Sequence, residues 1–110
     1  MLDKLLEVEK RYMELEAMMS DPNLVGQQRE YKKVAKERSD LEEIVVCYRE
    51  WRRVEQETAD NRQLMEENDE AMRELVKDEL ASLRERKEVL ETKLKFLMLP
   101  KDPNDAKNVI

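Results

Sequence analysis

The residue types that perform most enzyme chemistry are sparse in this sequence. Histidine is absent, which removes Ser/His and Cys/His nucleophilic pairs, the usual general base and the commonest zinc ligand. Cys47 is the only cysteine, so no internal disulfide can form. It lies in the apolar stretch IVVCYREW, and a reactive thiol needs exposure and a cationic partner. We therefore interpret Cys47 as a small buried hydrophobic residue.

The acidic residues supply many neighbouring carboxylates, but their spacing does not favour catalysis. Among 27 Asp and Glu residues, close pairs such as Glu66/Glu67 and Asp78/Glu79 are unavoidable, and adjacent residues of a helix point in different directions. We interpret these pairs as solvated helix faces. The single glycine cannot form a Gly-rich phosphate loop. The sequence thus predicts no catalytic, cofactor-binding or metal-binding residue.

Two basic clusters remain as candidates for a binding function. The segment YREWRR (residues 48–53) interleaves arginine with aromatic residues and could contact phosphate or stack on a base. The segment RERK (residues 84–87) is the second cluster. A net charge of −6 argues against an autonomous nucleic-acid binder, because such domains neutralise phosphates with surplus Lys and Arg. We favour solvated helix faces, with Trp51 packed inward.

Composition and hydrophobic spacing predict an all-α fold. Charged residues make up 44% of the 110 residues and aromatic residues 5%, which is typical of long helices. Apolar residues spaced mainly three and four apart predict helices over about 2–19 and 70–99, and a second helix that begins near residue 27 and could persist to 67. Short connections between three such helices favour an elongated antiparallel three-helix bundle with coiled-coil-like packing.

Each predicted helix has an apolar face. The residues assigned to these faces are Leu2, Leu5, Leu6, Tyr12, Met13 and Met19 in the first helix, Tyr31, Val34, Leu41, Val45 and Tyr48 in the second, and Met72, Val76, Leu80, Leu83, Leu90, Leu94 and Leu97 in the third. We expect the stripes of residues 31–54 and 72–97 to face each other. Lys87 interrupts the third stripe. The seven methionines are interpreted as gap fillers of a narrow core.

Polar and conformationally special residues mark the ends of these helices. In SDPNLVG (residues 20–26), Pro22 lacks an amide donor and Gly26 tolerates backbone angles closed to other residues, so we expect a turn. Between residues 55 and 63 only Ala59 is apolar, and we expect fraying or a bend there. Asn68 and Asp69 are the predicted caps of the third helix.

The start of the chain and its hydropathy predict a cytoplasmic protein with no membrane contact. No apolar run approaches the roughly 20 residues needed to cross a bilayer. The first ten residues, MLDKLLEVEK, form a charged amphipathic start that differs from a signal peptide.

The end of the chain carries the most specific signal. LMLPKDPNDAKNVI (residues 97–110) places Pro100 and Pro103 after a leucine-rich helix, and Pro100 should end that helix. Together with RYMELEAMMSDP and DLEEIVVCYREW, this stretch resembles the bacterial peptide chain release factor 1 family, the class I factors that read the stop codons UAA and UAG. The resemblance covers the whole chain. The sister family, which reads UAA and UGA, differs around Pro-Lys-Asp-Pro.

The resemblance implies a division into domains. Residues 1–99 would form the N-terminal helical domain, with Met1 as its native start. Residues 100–110 would form a non-helical linker into the missing codon-reading and catalytic domains. The family's Gly-Gly-Gln and Pro-x-Thr motifs do not occur in these 110 residues. The fragment is therefore not expected to be an enzyme, although the full-length factor promotes hydrolysis of peptidyl-tRNA on the ribosome.

The partners implied by the resemblance are proteins. They are the ribosome, through its stalk-base protein, and the class II GTP-binding release factor. The mRNA stop codon and peptidyl-tRNA would be contacted only through the missing domains. The resemblance fixes no contact residue and implies no cofactor.

A structural helical hairpin or coiled-coil interaction module unrelated to translation is the alternative. Periodicity alone permits it, and helical proteins of this composition are common. The non-helical tail distinguishes the two, because a free-standing coiled coil does not need one.

Overall fold

The computed structural model describes residues 1–67 and 69–100, and within these residues every regular element is a helix. The helices are α1 (Leu2–Met19), α2 (Pro22–Val25), α3 (Gln28–Glu67) and α4 (Glu70–Leu97). The all-α prediction is confirmed, as is the end of the last helix before Pro100. The predicted linker falls on residues 100–110, of which 101–110 lie outside the described residues.

Helix α3 is shared by two antiparallel helical hairpins. Ion pairs that join α1 to α3 run in opposite directions along the two helices, from Glu9–Arg49 at 2.9 Å to Glu16–Arg38 at 3.3 Å. Helix α4 returns along the later part of α3, where Lys93 Nζ lies 3.8 Å from Glu43 Oε1. The expected contact of residues 31–54 with α4 therefore needs correction, since the early part of that stripe faces α1.

The three long helices meet in one hydrophobic cluster. Its buried members are Leu5 of α1, Cys47 and Tyr48 of α3, and Leu94 of α4. Half-buried side chains pack around them, and these are Ile44, Trp51, Leu90, Leu97 and Met98. Burying a leucine or valine side chain contributes roughly 1.5–3 kcal/mol, so this cluster fixes both hairpins to the middle of α3.

The buried face of α1 differs from the predicted one. Leu5 and Tyr12 are buried as expected, but Leu15, which was not assigned to the face, is fully buried. Leu6 and Met13 are about half exposed. Leu5, Tyr12 and Leu15 are spaced seven and three residues apart and lie on the side of α1 that packs against α3. Leu6 and Met13 lie on the neighbouring side of the helix.

The methionines are poorer core residues than expected. Met1, Met13, Met18 and Met72 are exposed, whereas Met98 packs against the central cluster. The gap-filling interpretation is therefore wrong for the exposed four, and the closely packed positions are occupied by Leu and Val instead.

The expected turn after α1 contains a short helix. Asp21 caps α2 by accepting a hydrogen bond from the backbone amide of Asn23 at 3.0 Å, and Pro22 occupies the first helical turn. Gly26 has φ −75° and ψ −9°, angles that any residue adopts. The chain turns here as predicted, but not through a conformation that requires glycine.

The fraying expected at residues 55–63 is wrong, because α3 continues through this segment. Val54, at its start, is fully buried. The hydroxyl of Thr58 donates to the Val54 carbonyl at 2.8 Å, and Lys87 of α4 lies 3.1 Å from Glu55. Side-chain hydrogen bonds and ion pairs thus hold a segment that has little apolar surface.

Asp69 caps α4, as the sequence predicts; Asn68, the other predicted cap, lies outside the described residues. The Asp69 carboxylate accepts a hydrogen bond from the Met72 amide at 3.0 Å. Asp69→Ala should lower the free energy of unfolding by about 0.5–2 kcal/mol, the usual cost of losing a cap. Urea denaturation measures this change. Asp78→Ala on the same helix is the control, and an equal loss there would contradict the capping role.

Candidate interaction surfaces

The arginine-rich segment of α3 is ion-paired within the chain. Arg49 Nε donates to Glu9 Oε2 at 2.9 Å, and Arg52 Nη1 donates to Glu9 Oε1 at 3.2 Å. The guanidinium of Arg49 also lies 5.7 Å from the ring centroid of Tyr12, where a cation–π contact forms. These cations hold α1 against α3, so the segment is not a free basic surface.

Trp51 packs inward, as the sequence analysis favours. Its ring stacks with Tyr48 at a centroid separation of 6.1 Å, and it packs against the central cluster. Its Nε1–H donates to Glu91 Oε2 at 3.3 Å. A stacked, hydrogen-bonded indole is a structural link between α3 and α4 and is not presented to a base.

Cys47 is buried, in agreement with the sequence analysis. Its thiol donates to the Leu90 carbonyl at 3.7 Å. Burial raises the pKa of the Cys47 thiol. A buried thiol with a raised pKa is a poor nucleophile, because the thiolate is the reactive form.

A line of exposed apolar side chains runs along the outer side of α4. Leu75, Val89 and Phe96 are 65%, 67% and 72% exposed. With Ser82 they recur at steps of seven, which keeps them on one side of the helix. We call Leu75, Val89 and Phe96 the outer stripe. Aligned exposed apolar residues are characteristic of protein interaction sites, so the outer stripe is the candidate docking surface.

A concave site lies between α3 and α4, away from the central cluster. It has a volume of about 280 Å³ and is lined by Glu55, Thr58, Ala59, Arg62, Leu80, Arg84 and Lys87. We call it the α3–α4 pocket. Three of its side chains are cationic and one is acidic, in a chain whose net charge is −6. Its charge is therefore opposite to that of the molecule as a whole.

Comparison with known proteins identifies the family. The sequence profile of the PCRF domain matches residues 8–110. The chain belongs to the PCRF domain family. The resemblance to the release factor 1 family is likewise confirmed along the whole chain by curated relatives.

Three relatives of this PCRF domain are named peptide chain release factor 1. The chain is 48% identical to the protein of Alkaliphilus oremlandii and 46% identical to those of Pelobacter propionicus and Acidobacterium capsulatum. Each alignment covers 100% of the chain. The chain spans only 30–31% of the length of these relatives. No solved structure matches it.

The part of the PCRF domain that the structure describes has neither a metal-binding cluster nor a membrane-spanning helix. Among residues 1–67 and 69–100, no group of three or more His, Cys, Asp or Glu side chains is arranged to hold a metal ion. None of the described helices is long and apolar enough to cross a membrane.

Neither the outer stripe nor the α3–α4 pocket of this PCRF domain was among the features predicted from the sequence. The seven-residue recurrence of Leu75, Val89 and Phe96 was a usable signal for the stripe. The pocket combines Arg84, from the second basic cluster, with Arg62 of α3. Such a pairing depends on the register of two helices, which spacing within one helix does not reveal.

Glu9 should make the stability of this PCRF domain depend on pH. Its side chain is 13% exposed, and hydrogen bonding to Arg49 lowers its pKa below the ordinary value of 4.5. Because the folded-state pKa is depressed, its stabilising effect is present above pH 4.5 and is lost as the pH falls through the folded-state pKa. Glu9→Gln should therefore cost about 1 kcal/mol at pH 7, since both arginines are half exposed, and less at pH 3, which lies below the ordinary pKa of a glutamate.

Urea denaturation of both proteins at pH 7 and pH 3 measures this difference. Glu14→Gln is the matched control on α1, because Glu14 is exposed and its pair with Arg11 is 3.5 Å long. A stability difference for Glu9→Gln that stays constant between the two pH values would contradict the role assigned to Glu9.

Proposed function

We propose that this PCRF domain is the helical domain of a cytoplasmic bacterial translation termination factor that recognises the stop codons UAA and UAG on the ribosome and triggers hydrolysis of peptidyl-tRNA. The observation that carries the proposal is the whole-chain identity of 45–48% to proteins named peptide chain release factor 1. Codon recognition and hydrolysis are assigned to parts of the factor beyond these 110 residues, because the chain contains one glycine and hence no Gly-Gly-Gln.

The domain itself is proposed to contact proteins. Its partners are a ribosomal protein at the stalk base and the class II GTP-binding release factor. The net charge of −6 and the internal pairing of Arg49 and Arg52 disfavour a broad grip on RNA. The outer stripe offers an apolar surface instead, and Phe96 at its end is the kind of aromatic residue that is enriched at protein interfaces.

The alternative, a coiled-coil module unrelated to translation, is less well supported. A general coiled coil would share heptad spacing with release factors, but not 48% identity over 112 residues. Similarity of that extent includes the proline-containing end of the sequence, residues 97–110, which heptad spacing does not constrain.

Binding measurements with purified partners test the protein-contact role. The chain should bind the stalk-base ribosomal protein or the class II factor, and Val89→Asp with Phe96→Asp should weaken that binding at least tenfold. Val25→Asp is the control, because Val25 is also exposed but lies on α2. Absence of binding to both partners, or equal weakening by the control, would reject the proposed role of the stripe.

A release assay tests the proposal that peptidyl-tRNA hydrolysis depends on parts of the factor beyond these 110 residues. Ribosomes carrying formyl-methionyl-tRNA and a stop codon should release no formyl-methionine when this chain alone is added. The full-length factor should release it at UAA and UAG but not at UGA. Release by the chain alone would show that the chemistry has been assigned to the wrong part of the protein.

A further inference from the structure

We propose that the α3–α4 pocket binds a phosphate group. The proposal does not depend on the proposed function, because it rests on the shape and charge of the pocket alone. The ligand chemistry is a phosphate held between the guanidinium groups of Arg62 on α3 and Arg84 on α4.

Small side chains create the space. At Thr58 and Ala59, α3 presents too little side-chain volume to fill the gap to α4, and Leu80 supplies an apolar wall from the opposite helix. The hydroxyl hydrogen of Thr58 is engaged with the Val54 carbonyl. The helices are held on either side of the gap by Val54, which is fully buried, and by Val76 and Leu83. The pocket is therefore a consequence of packing rather than of a loop.

Arg62 and Arg84 supply the positive charge that would attract a phosphate group to the pocket. Most arginines of the chain are ion-paired, and these are Arg11, Arg38, Arg49, Arg52, Arg53 and Arg86. Among the side chains that the structure describes, neither Arg62 nor Arg84 has a carboxylate within 4.0 Å. The third cation, Lys87, is paired with Glu55 at 3.1 Å. Among the described residues, two positive charges in the pocket thus remain without an acidic partner.

Charge and size both favour phosphate over a carboxylate. Two guanidinium groups balance a phosphate dianion, whereas a single carboxylate would leave one of them unbalanced. The planar donor fork of arginine matches the spacing of phosphate oxygens and binds them in pairs. A volume of about 280 Å³ lies just below the roughly 300–1,000 Å³ of small-molecule sites, which suits a phosphate group with little attached to it.

Amide chemical shifts during titration test the proposal. The ¹⁵N-labelled chain is titrated at constant ionic strength with inorganic phosphate, and separately with hexauridylate bearing or lacking a 5′-phosphate. The amides of residues 58–62 and 80–87 should shift together and saturate. Saturation by inorganic phosphate would identify a site for free phosphate, and saturation only by the oligonucleotide with the 5′-phosphate would identify a site for terminal phosphates. Equal saturation by both oligonucleotides without saturation by inorganic phosphate would place singly charged phosphodiesters in the pocket and overturn the proposed phosphate dianion. Saturation by none of them overturns the proposal.

Two charge-removing variants on α4 distinguish a specific phosphate site from a general attraction of anions to the protein surface. Arg84→Gln should weaken phosphate binding about tenfold, because it removes a charge-assisted hydrogen bond. Arg73→Gln on the same helix should leave binding unchanged, since Arg73 does not line the pocket. Equal weakening by the two variants overturns the proposal. Equal binding of acetate or hexaglutamate also overturns it, because either would indicate a general anion patch.

A variant that fills the α3–α4 pocket tests the location of the site without changing the charge of the protein. Ala59→Leu places a larger side chain in the gap while keeping Arg62 and Arg84, and helix propensity changes little. Circular dichroism should show an unchanged helix content, and phosphate binding should fall at least tenfold. A folded Ala59→Leu variant that binds phosphate as well as the original chain would overturn the proposed location.

Discussion

Leu83→Asp is expected to unfold most of the helical structure at 25 °C. Leu83 is 1% exposed and lies on the side of α4 that packs against α3. An unpaired charge at such a position costs several kcal/mol, and a small domain has only about 5–15 kcal/mol of stability in total. Far-ultraviolet circular dichroism of the variant should show the loss of most of the helical signal.

Leu75→Asp is the matched control for this experiment. It introduces the same charge on the same helix, two turns earlier, but Leu75 is 65% exposed. Its stability should change by no more than about 0.5 kcal/mol, as is usual for surface substitutions. If Leu83→Asp melts at the same temperature as Leu75→Asp, Leu83 does not belong to the core.

Leu15→Ala is expected to lower the free energy of unfolding by about 2–5 kcal/mol, which is typical of buried leucines replaced by alanine. Leu15 is fully buried, so truncation removes apolar contacts and leaves a cavity between α1 and α3. Urea denaturation, followed by circular dichroism, gives the change in the midpoint.

Met13→Ala tests whether the corrected face of α1 is the right one. Met13 is 57% exposed, and its truncation should change stability by no more than about 0.5 kcal/mol. If Met13→Ala proved more damaging than Leu15→Ala, the face predicted from the sequence would be correct and the observed one wrong.

The bounds of α1 could be predicted from the sequence, but its buried face could not. The helix ends because Ser20 and Asp21 begin a turn, and that information is local. The face is ambiguous because Leu6 and Met13 are seven residues apart, as are Leu5 and Tyr12. Both pairs satisfy helical periodicity, and only the position of α3 decides which pair is buried.

The interaction surfaces were harder to predict, because their properties depend on residues that are far apart in the chain. Glu9 neutralises Arg49 from 40 positions away, so a segment that looks basic in the sequence is neutralised in the structure. In contrast, neither Arg62 nor Arg84 is paired with a carboxylate of the described residues. Local composition also failed at residues 55–63, where hydrogen bonds and contacts with α4 maintain the helix.

The uninterrupted course of α3 has a mechanical consequence. A helix of 40 residues is about 60 Å long at roughly 1.5 Å per residue, close to the 61 Å longest dimension of the molecule. Such a rod behaves as a lever arm, so a tilt of about 10° imposed at one end carries the other end through roughly 10 Å. A partner that binds one end of α3 and tilts it by this angle can thereby displace a group bound at the other end by roughly 10 Å.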